Sequence, residues 1–574
     1  MQLHDLGLIG NSTTSAIIDG NAKIAWWCFP FFDSPPICNA LTSPCGAANK
    51  DGFIDVLFEK VRSKDQYYIR NTPILVTRLA DNSHNVIETV DFAPCYIQFG
   101  RLYTPPTICR IIRRVAGRPR IAIRAYPANP AGGQSTQNIG ANHVTFNGYG
   151  QGMRITTDAP LPALIDGQAF FLEDSITLVM GTDEPLLEAP KEYGRHAYEA
   201  TVAYWHNWIH NIEIPLEWQD EVIRAAITLR LNTFYGTGAI VAGHSILGSG
   251  CQEPSRATAS LSWVHEAATV TRALNRLGAT GTMERYLDYL NNIIADANGL
   301  PFQAVYDIHR RTVIAKDGNG IWETPEHHDS YGAAVLACMQ AFFDHRLYHP
   351  AGKSPFQSLE NLGEIAFEKY RQPDLDVWGQ GELAVHTYSS IMCWVACERL
   401  SRIAEMLDMG EAAREWAQRA ATIHERILEN AWNESLGTFT STWHGDTVDA
   451  TLLRIPVLKF LRADDPRTIK TIDYVTEKLK QNHFIRCTEK AGKAQPNIPL
   501  TATFWWIQAQ NALGRTDVAR DAFERVLGYR NHLGLLSSCL ALDDHSFAGA
   551  FPSTSAMVGI IQCAVELSKP WESL

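Results

Sequence analysis

The 574-residue sequence predicts a mainly α protein with a β portion: an (α/α)6 barrel preceded by an N-terminal antiparallel β-sandwich. Three observations predict it. Up to about Pro190 the chain runs in short alternating segments separated by turn residues, the pattern of half-buried strands. From Glu192 onward the apolar period changes to that of a helix and stays there. In this second part short turns and long excursions alternate strictly between helices, which places all the excursions at one end of a ring of antiparallel hairpins.

The strands expected in the first part are Ser15–Ile18, Lys23–Cys28, Ile74–Arg78, Asn85–Val90, Ile108–Val115, Arg120–Ala125, His143–Phe146 and Ile176–Met180. Asp19-Gly20-Asn21 and Asp51-Gly52 supply turn chemistry between them, and the Gly/Pro-rich Pro127–Gly133 reads as a surface loop. Tyr193–Asn211 reads as one amphipathic linker helix. The expected organisation is residues 1–190 as the β-sandwich, 191–215 as a helical linker and 216–574 as the barrel with its active-site mouth.

Twelve helical stretches are expected in the barrel, at 217–235, 263–277, 279–297, 329–347, 356–370, 387–409, 410–431, 449–461, 466–481, 499–514, 515–528 and 553–568. Tight turns fall at Gly278, Asp408-Met409-Gly410 and Gly514-Arg515. The six excursions are Gly236–Ser262, Gly299–His328, Arg371–His386, Asn433–Val448, Asn482–Pro499 and Tyr529–Pro552, and long connections of this kind are where function concentrates.

Composition narrows the partners. With 45% hydrophobic and 20% charged residues the chain is of ordinary globular type, and its formal charge of -12 disfavours nucleic acid or an anionic membrane. The longest apolar runs, Gly238–Gly243 and Met557–Ile561, are far too short to span a bilayer, and the start at Met1 lacks a basic region followed by an apolar stretch. A cytoplasmic protein acting on a small molecule is the expectation. The twelve cysteines are scattered without a Cys-x-x-Cys pair, so they read as reduced, buried side chains, and no metal or cofactor is called for.

The excursions carry an unusual stock of acids, imidazoles and indoles. The first ends in Trp263-Val264-His265-Glu266 and contains His244 and Glu253; the second holds Trp322-Glu323-Thr324-Pro325-Glu326-His327-His328-Asp329. The third brings Asp374, Asp376, Trp378, Glu382 and His386, and the fourth Trp443, His444 and Asp446. Arg486, Glu489 and Lys490, then Asp543-Asp544-His545, come from the last two. Carboxyls beside imidazoles suit proton transfer near neutral pH. Against this, any one of them serves equally as a solvated loop residue or a cap, Asp329 as an N-cap above all. Adjacent histidines point apart, so the Glu326–Asp329 run makes a poor metal site.

Six stretches stand out in order along the chain: Leu6-Gly7-Leu8-Ile9-Gly10-Asn11, the run from Ile24-Ala25-Trp26-Trp27 to Asp33-Ser34-Pro35, Thr237–Ala242, Asp329-Ser330-Tyr331-Gly332, Ser390–Ala396 with Glu398-Arg399, and Gly534-Leu535-Leu536-Ser537. Together they resemble glycoside hydrolase family 15, the glucoamylases, glucodextranases and bacterial-type trehalases. The resemblance runs in order over nearly the whole chain and implies the same sandwich, helical linker and barrel. It also implies inversion of an α-glucosidic bond by two glutamates, one protonating the leaving oxygen and one activating water. At the acid's position, Pro373-Asp374-Leu375-Asp376-Val377-Trp378 leads into Gly379, and the base's position falls on Pro496. Where the family has Trp-Val-Arg-Asp this chain has Trp263-Val264-His265-Glu266, and Gly243–Ser249 replaces a second sugar-gripping segment. Gly320-Ile321-Trp322-Glu323 repeats the acid motif one hairpin earlier.

On these grounds the expected function is a repurposed, non-glycosidase enzyme performing acid–base chemistry, a dehydration, isomerisation or cyclisation, on a small and fairly apolar metabolite of secondary metabolism. The expected catalytic residues are Glu323, His327, His328, Asp329, His265, Glu266 and His386, with Glu382 as a second acid; Trp27, Trp263, Trp322, Trp378, Trp443, Arg486 and Glu489 are the expected substrate contacts. Two alternatives stand beside it: a trehalase-like inverting hydrolase with Glu323 as acid and Glu489 as base, and an inactive carbohydrate-binding protein.

Overall fold

The computed structural model describes residues 3–41, 52–129, 137–148, 152–248, 259–297, 302–312, 315–317, 320–322, 327–378, 383–489 and 497–573. The chain divides into two compact units, one of Met1–Ile212 with Ala226–Gly236 and Arg530–Leu535, the other of Glu213–Ala225, Thr237–Tyr529 and Leu536–Leu574.

The first unit is built on two antiparallel sheets. One runs in the order Leu6–Gly10, Ser15–Asp19, Ile24–Cys28, Phe53–Phe58, Arg120–Tyr126, Phe170–Phe171, with Pro36–Asn39 beside Ile24–Cys28. The other runs Gln137–Ile139, His143–Phe146, Met153–Thr157, Ser175–Thr182, Ile108–Ala116, Val86–Phe92, Leu75–Asp81, Val61–Tyr68. All eight expected strands are present, and the alternation missed others for physical reasons. Leu6–Gly10 is buried at every position, so it shows no period of two. Its Gly7 is required by packing, because a Cβ there would lie 2.8 Å from side-chain carbons of Leu75 and Leu533. Val61–Tyr68 is mostly exposed and polar, so it carries no apolar signal.

The expected linker helix, Pro190–His210, belongs to this unit rather than standing between domains. Its Ala197 joins Ile74, Val76, Val90, Phe92, Cys109, Ile111 and Val179 in one buried cluster, with Tyr193, Tyr198 and Val202 packed against it. A sheet covered in this way on its outer face is buried on both sides. Elsewhere in the unit Arg110 Nε donates to Asp91 Oδ1 at 2.6 Å and its Nη2 to Oδ2 at 3.2 Å, and neither side chain is more than 1% exposed. Burial holds the Asp91 carboxyl above its ordinary value even with the arginine beside it. Asp91→Ala leaves the guanidinium buried without its charge partner, so a loss of about 3–5 kcal/mol is expected in denaturant unfolding. A loss below about 1 kcal/mol would show that the pair contributes little.

In the second unit six helical segments form a closed inner ring: Ala267–Arg276, Asp329–Cys338, Thr387–Met406, Ala450–Arg454 continuing as Ile455–Leu458, Leu500–Ala512 and Thr554–Leu567. Each packs on the next, and the last returns to the first. Thr387–Met406 is buried along most of its length, which is why its sequence is apolar on all sides. Outer helices show the one-sided pattern instead; Gly410–Ala431 buries Ala413, Trp416, Ala420, Ile423, Ile427 and Ala431. Gly332 of the Asp-Ser-Tyr-Gly motif is a point of close approach, where a Cβ would collide with the Met392 carbonyl of the neighbouring inner helix.

Two expected helices differ. The stretch expected at 449–461 is a 3-10 turn followed by one short α segment, with Pro456 near the segment's start and Lys459 left-handed at its end. The one expected at 329–347 ends at Cys338, with a separate short helix Gln340–Phe343.

Hydrogen bonds link the six excursions into a second ring. Ser245–Leu247 pairs with Phe547–Phe551, which continues through Cys539–Ala541 to Asn497–Pro499. From there Thr488 bridges to Asp449, and Thr442 to His386. The His328 amide donates to Asp374 Oδ2 at 2.9 Å, and Ser262–Trp263 pairs with Val305–Tyr306 to close the circuit. All six excursions therefore lie at one end of the barrel, which fixes the place to look for a site. Among the described residues no helix is long and apolar enough to cross a membrane.

Candidate active site in the helical barrel

A cavity of about 110 Å³ opens among the inner helices. Val377, Trp378, Phe504, Trp505, Val558 and Gly559 form its apolar wall; His265, Glu266, Thr269, Tyr388, Arg454, Thr501, Gln508, Ser555 and Gln562 supply polar groups. Trp378 lies 5.4 Å from Trp505, ring centre to ring centre, and Tyr388 lies 6.4 Å from the same indole. Such faces suit the apolar sides of a ring, while amides and hydroxyls between them suit its polar edges.

Asp329, Asp374, Asp376 and Asp449 lie near enough to act on one another, and Asp329 and Asp449 also act on Tyr388. Asp374 Oδ2 accepts from the His328 amide at 2.9 Å and from Ser389 Oγ at 2.8 Å, yet burial outweighs both bonds and raises its carboxyl to about 8. Asp449 caps the Ala450 turn by accepting from Thr451 N at 2.9 Å, and burial lifts it to about 7. Asp329 does not act as the N-cap its position suggests: His328 holds that place, and neither Asp329 oxygen meets a donor from another described residue. Burial pushes it to about 7, and the charge of Asp376 adds to the rise in all three. At neutral pH these groups hold protons to a substantial degree, which is the state a proton donor needs.

The histidines take the opposite state. Burial, with His327 nearby, lowers His265 to about 3; burial, with His328 and His386 nearby, lowers His327 to about 4. Both shifts come from burial and from neighbouring imidazoles. His328 is buried with Nδ1 3.9 Å from Asp374 Oδ2, and His386 is the buried N-cap residue of Thr387–Met406. Among the described residues no group of three His, Cys, Asp or Glu side chains converges as a metal site would.

Several expected site residues are placed elsewhere. Trp27 is fully buried in a strand of the first unit with Nε1 donating to Thr14 Oγ1 at 3.0 Å, so it is core rather than substrate contact. Arg486 donates from Nη2 to the Lys478 carbonyl at 2.9 Å, the role of a cation at a helix C-terminus, and is not part of the cavity wall. Glu489 Oε2 accepts from the Val448 amide at 3.2 Å and is not among the residues that line the cavity. Trp443, buried at Nε1, packs 6.3 Å from Tyr370, and Trp263 lies 5.6 Å from His265; neither is part of the wall. His444, Asp446, Asp543 and Asp544 are exposed. Trp322 closes the short strand Gly320–Trp322. Glu253, Glu323, Glu326, Gly379, Glu382, Lys490 and Pro496 lie outside the described residues.

Of the expected residues, the cavity wall brings together His265, Glu266 and Trp378. It adds Tyr388, Arg454, Trp505, Gln508 and Gln562, all on inner helices, where an expectation drawn from loops alone did not look. Their signal was legible: Leu452-Leu453-Arg454-Ile455 and Ile560-Ile561-Gln562-Cys563 each set a polar residue in a run that is otherwise buried and apolar.

A closed ring of inner helical segments with an aromatic-walled cavity among them defines the class of this unit, an (α/α)6-type barrel. Comparison with known proteins narrows it. Residues 237–499 match the family model "Glycosyl hydrolases family 15". A trehalase of Thermoplasma volcanium is 25% identical, with 98% of this chain and 93% of the relative covered. A trehalase of Mycolicibacterium smegmatis is 23% identical over 99% of this chain and 91% of its own length. A bacterial glucoamylase solved with acarbose shares the fold at a TM-score of 0.75 and 12% identity, over 99% of this chain and 94% of that one. The chain is thus similar to glycoside hydrolase family 15, by the family model over residues 237–499 and by the trehalases over nearly its whole length.

These similarities overturn the expectation of a non-glycosidase lyase, isomerase or cyclase acting in secondary metabolism, since the relatives that match nearly end to end are trehalases.

Proposed function

We propose that the protein is a trehalase-like glycoside hydrolase that cleaves an α-glucosidic bond in the barrel cavity. The observation that carries this is the near-complete coverage by trehalases, with 96–98% of the chain matched by the two Thermoplasma enzymes. Inverting hydrolysis needs one carboxyl to protonate the leaving oxygen and another to activate water. Glu266 is the carboxyl among the described residues of the cavity wall and is the base in this reading, in place of Glu489. The partner carboxyl is Glu323, whose Gly320-Ile321-Trp322-Glu323 setting repeats the family's acid motif. Protonated Asp329, Asp374 and Asp449 keep the surrounding charge low, which favours a neutral, proton-donating carboxyl nearby.

The test is incubation of the purified protein with trehalose, maltose and isomaltose, reading glucose. Release from trehalose faster than from the other two, and its loss in Glu323→Gln, is the expected result. No glucose from any of the three at enzyme concentrations equal to substrate would sink the proposal.

A further inference from the structure

One cavity residue is unexplained by cleavage of a neutral disaccharide. Arg454 lies in the inner-ring segment Ala450–Arg454, is 6% exposed and forms part of the cavity wall. Its Nη1 donates to Gln508 Oε1 at 2.9 Å, its guanidinium carbon stands 5.4 Å from the Trp505 ring centre, and its buried Nε has no acceptor among the described residues. No carboxylate among the described residues forms an ion pair with it. Glu566, the acid whose charge reaches it, is already engaged by Arg272 at 2.8 Å and by Gln508 Nε2 at 3.3 and 3.4 Å. Asp329, Asp374 and Asp449, held protonated by burial, offer it little charge.

Among the described residues the guanidinium's direct partners are an amide oxygen and an aromatic face; burial on those terms costs stability, and a leucine would suit an inner-ring position better. Its planar fork is the group that best recognises a phosphate or carboxylate, and the low polarity around it strengthens such a contact. Thr501, Ser555 and Gln562 stand in the same wall and can donate to the remaining oxygens of an anion. Glu266 is also in that wall and disfavours an anion on its own side, so the charged group of a ligand would seat toward Arg454.

We propose that Arg454 makes this cavity selective for a glycoside bearing one anionic group, a phosphate ester or a carboxylate, in place of a neutral sugar. This rests on the glycosidase assignment for the sugar part of the ligand but is tested by binding, without turnover.

Calorimetric titration of the wild-type protein, with released glucose assayed after each run so that binding heat is separated from any hydrolysis, compares two pairs, trehalose against trehalose 6-phosphate and methyl α-glucoside against methyl α-glucuronide. At least one anionic member is expected to bind about ten times more tightly than its neutral partner, with the advantage shrinking as salt is raised. The pair that gains tells phosphate from carboxylate. In Arg454→Gln the ratio of anionic to neutral binding should fall to about one; Arg454→Lys should retain part of it. Equal or weaker binding of both anions by the wild type overturns the inference, and needs no variant to fold. An advantage that survives in a folded Arg454→Gln protein overturns it as well. Hydrolysis of neutral trehalose with no anion preference would leave the glycosidase assignment standing and remove this one alone.

Discussion

Glu266→Gln is expected to lower kcat for glucosidic cleavage by roughly two to four orders of magnitude, with KM changed far less. The residue sits at the start of an inner helix and in the cavity wall, within reach of a ligand bound there. Glutamine keeps the volume and a hydrogen-bonding oxygen but neither gives nor takes a proton at neutral pH. The histidines beside it do not substitute, because burial keeps His265 and His327 neutral down to about 3 and 4. Steady-state kinetics, with circular dichroism to confirm an unchanged fold, check this. A variant that retains more than about a tenth of wild-type kcat would remove Glu266 from the chemistry.

Stability is expected to fall as pH rises from 6.5 to 8. Burial raises Asp374 to about 8 and Asp329 and Asp449 to about 7, so the folded protein keeps protons that the unfolded chain has already released. The stability these groups contribute is complete below pH 4 and is lost as pH climbs through 7 to 8. His265 and His327 act the other way, because the unfolded chain protonates them below about 6.5 while the fold does not. Above that pH they no longer oppose the aspartates, and a loss on the order of 3 kcal/mol is expected across the window. Asp329→Asn removes one titrating group from a site where its oxygens have no partner, so its slope should be shallower than that of the wild type. Urea unfolding at four pH values reads both slopes. A flat wild-type profile, or identical slopes, would contradict the account of these carboxyls.

The barrel was legible because its two signals are independent of detail. One-sided helices such as Gly410–Ala431 declare themselves by period, and the alternation of turns and excursions declares their order. Strands were legible where one face stays polar and not where both faces are buried, as in Leu6–Gly10. The site was legible only in part. His265, Glu266 and Trp378 carry chemistry on excursions or at helix starts, where such residues attract notice. Tyr388, Arg454, Gln508 and Gln562 sit inside helices that read as core, and only closure of the inner ring turns that core surface toward a cavity. Trp27 failed for the converse reason: an aromatic in a strand serves a core as well as a ligand, and here its indole is satisfied by Thr14. The states of the histidines were beyond the sequence, since they depend on burial and on neighbouring imidazoles.

Trehalose hydrolysis followed by proton NMR tests the central claim most directly. The two glucose units of trehalose are both α-linked at their anomeric carbons, so an inverting hydrolase releases one β- and one α-glucose per bond cleaved. The account predicts equal amounts of both anomers before mutarotation, at a rate proportional to enzyme. No release of glucose at stoichiometric enzyme, or release of α-glucose alone, would contradict it.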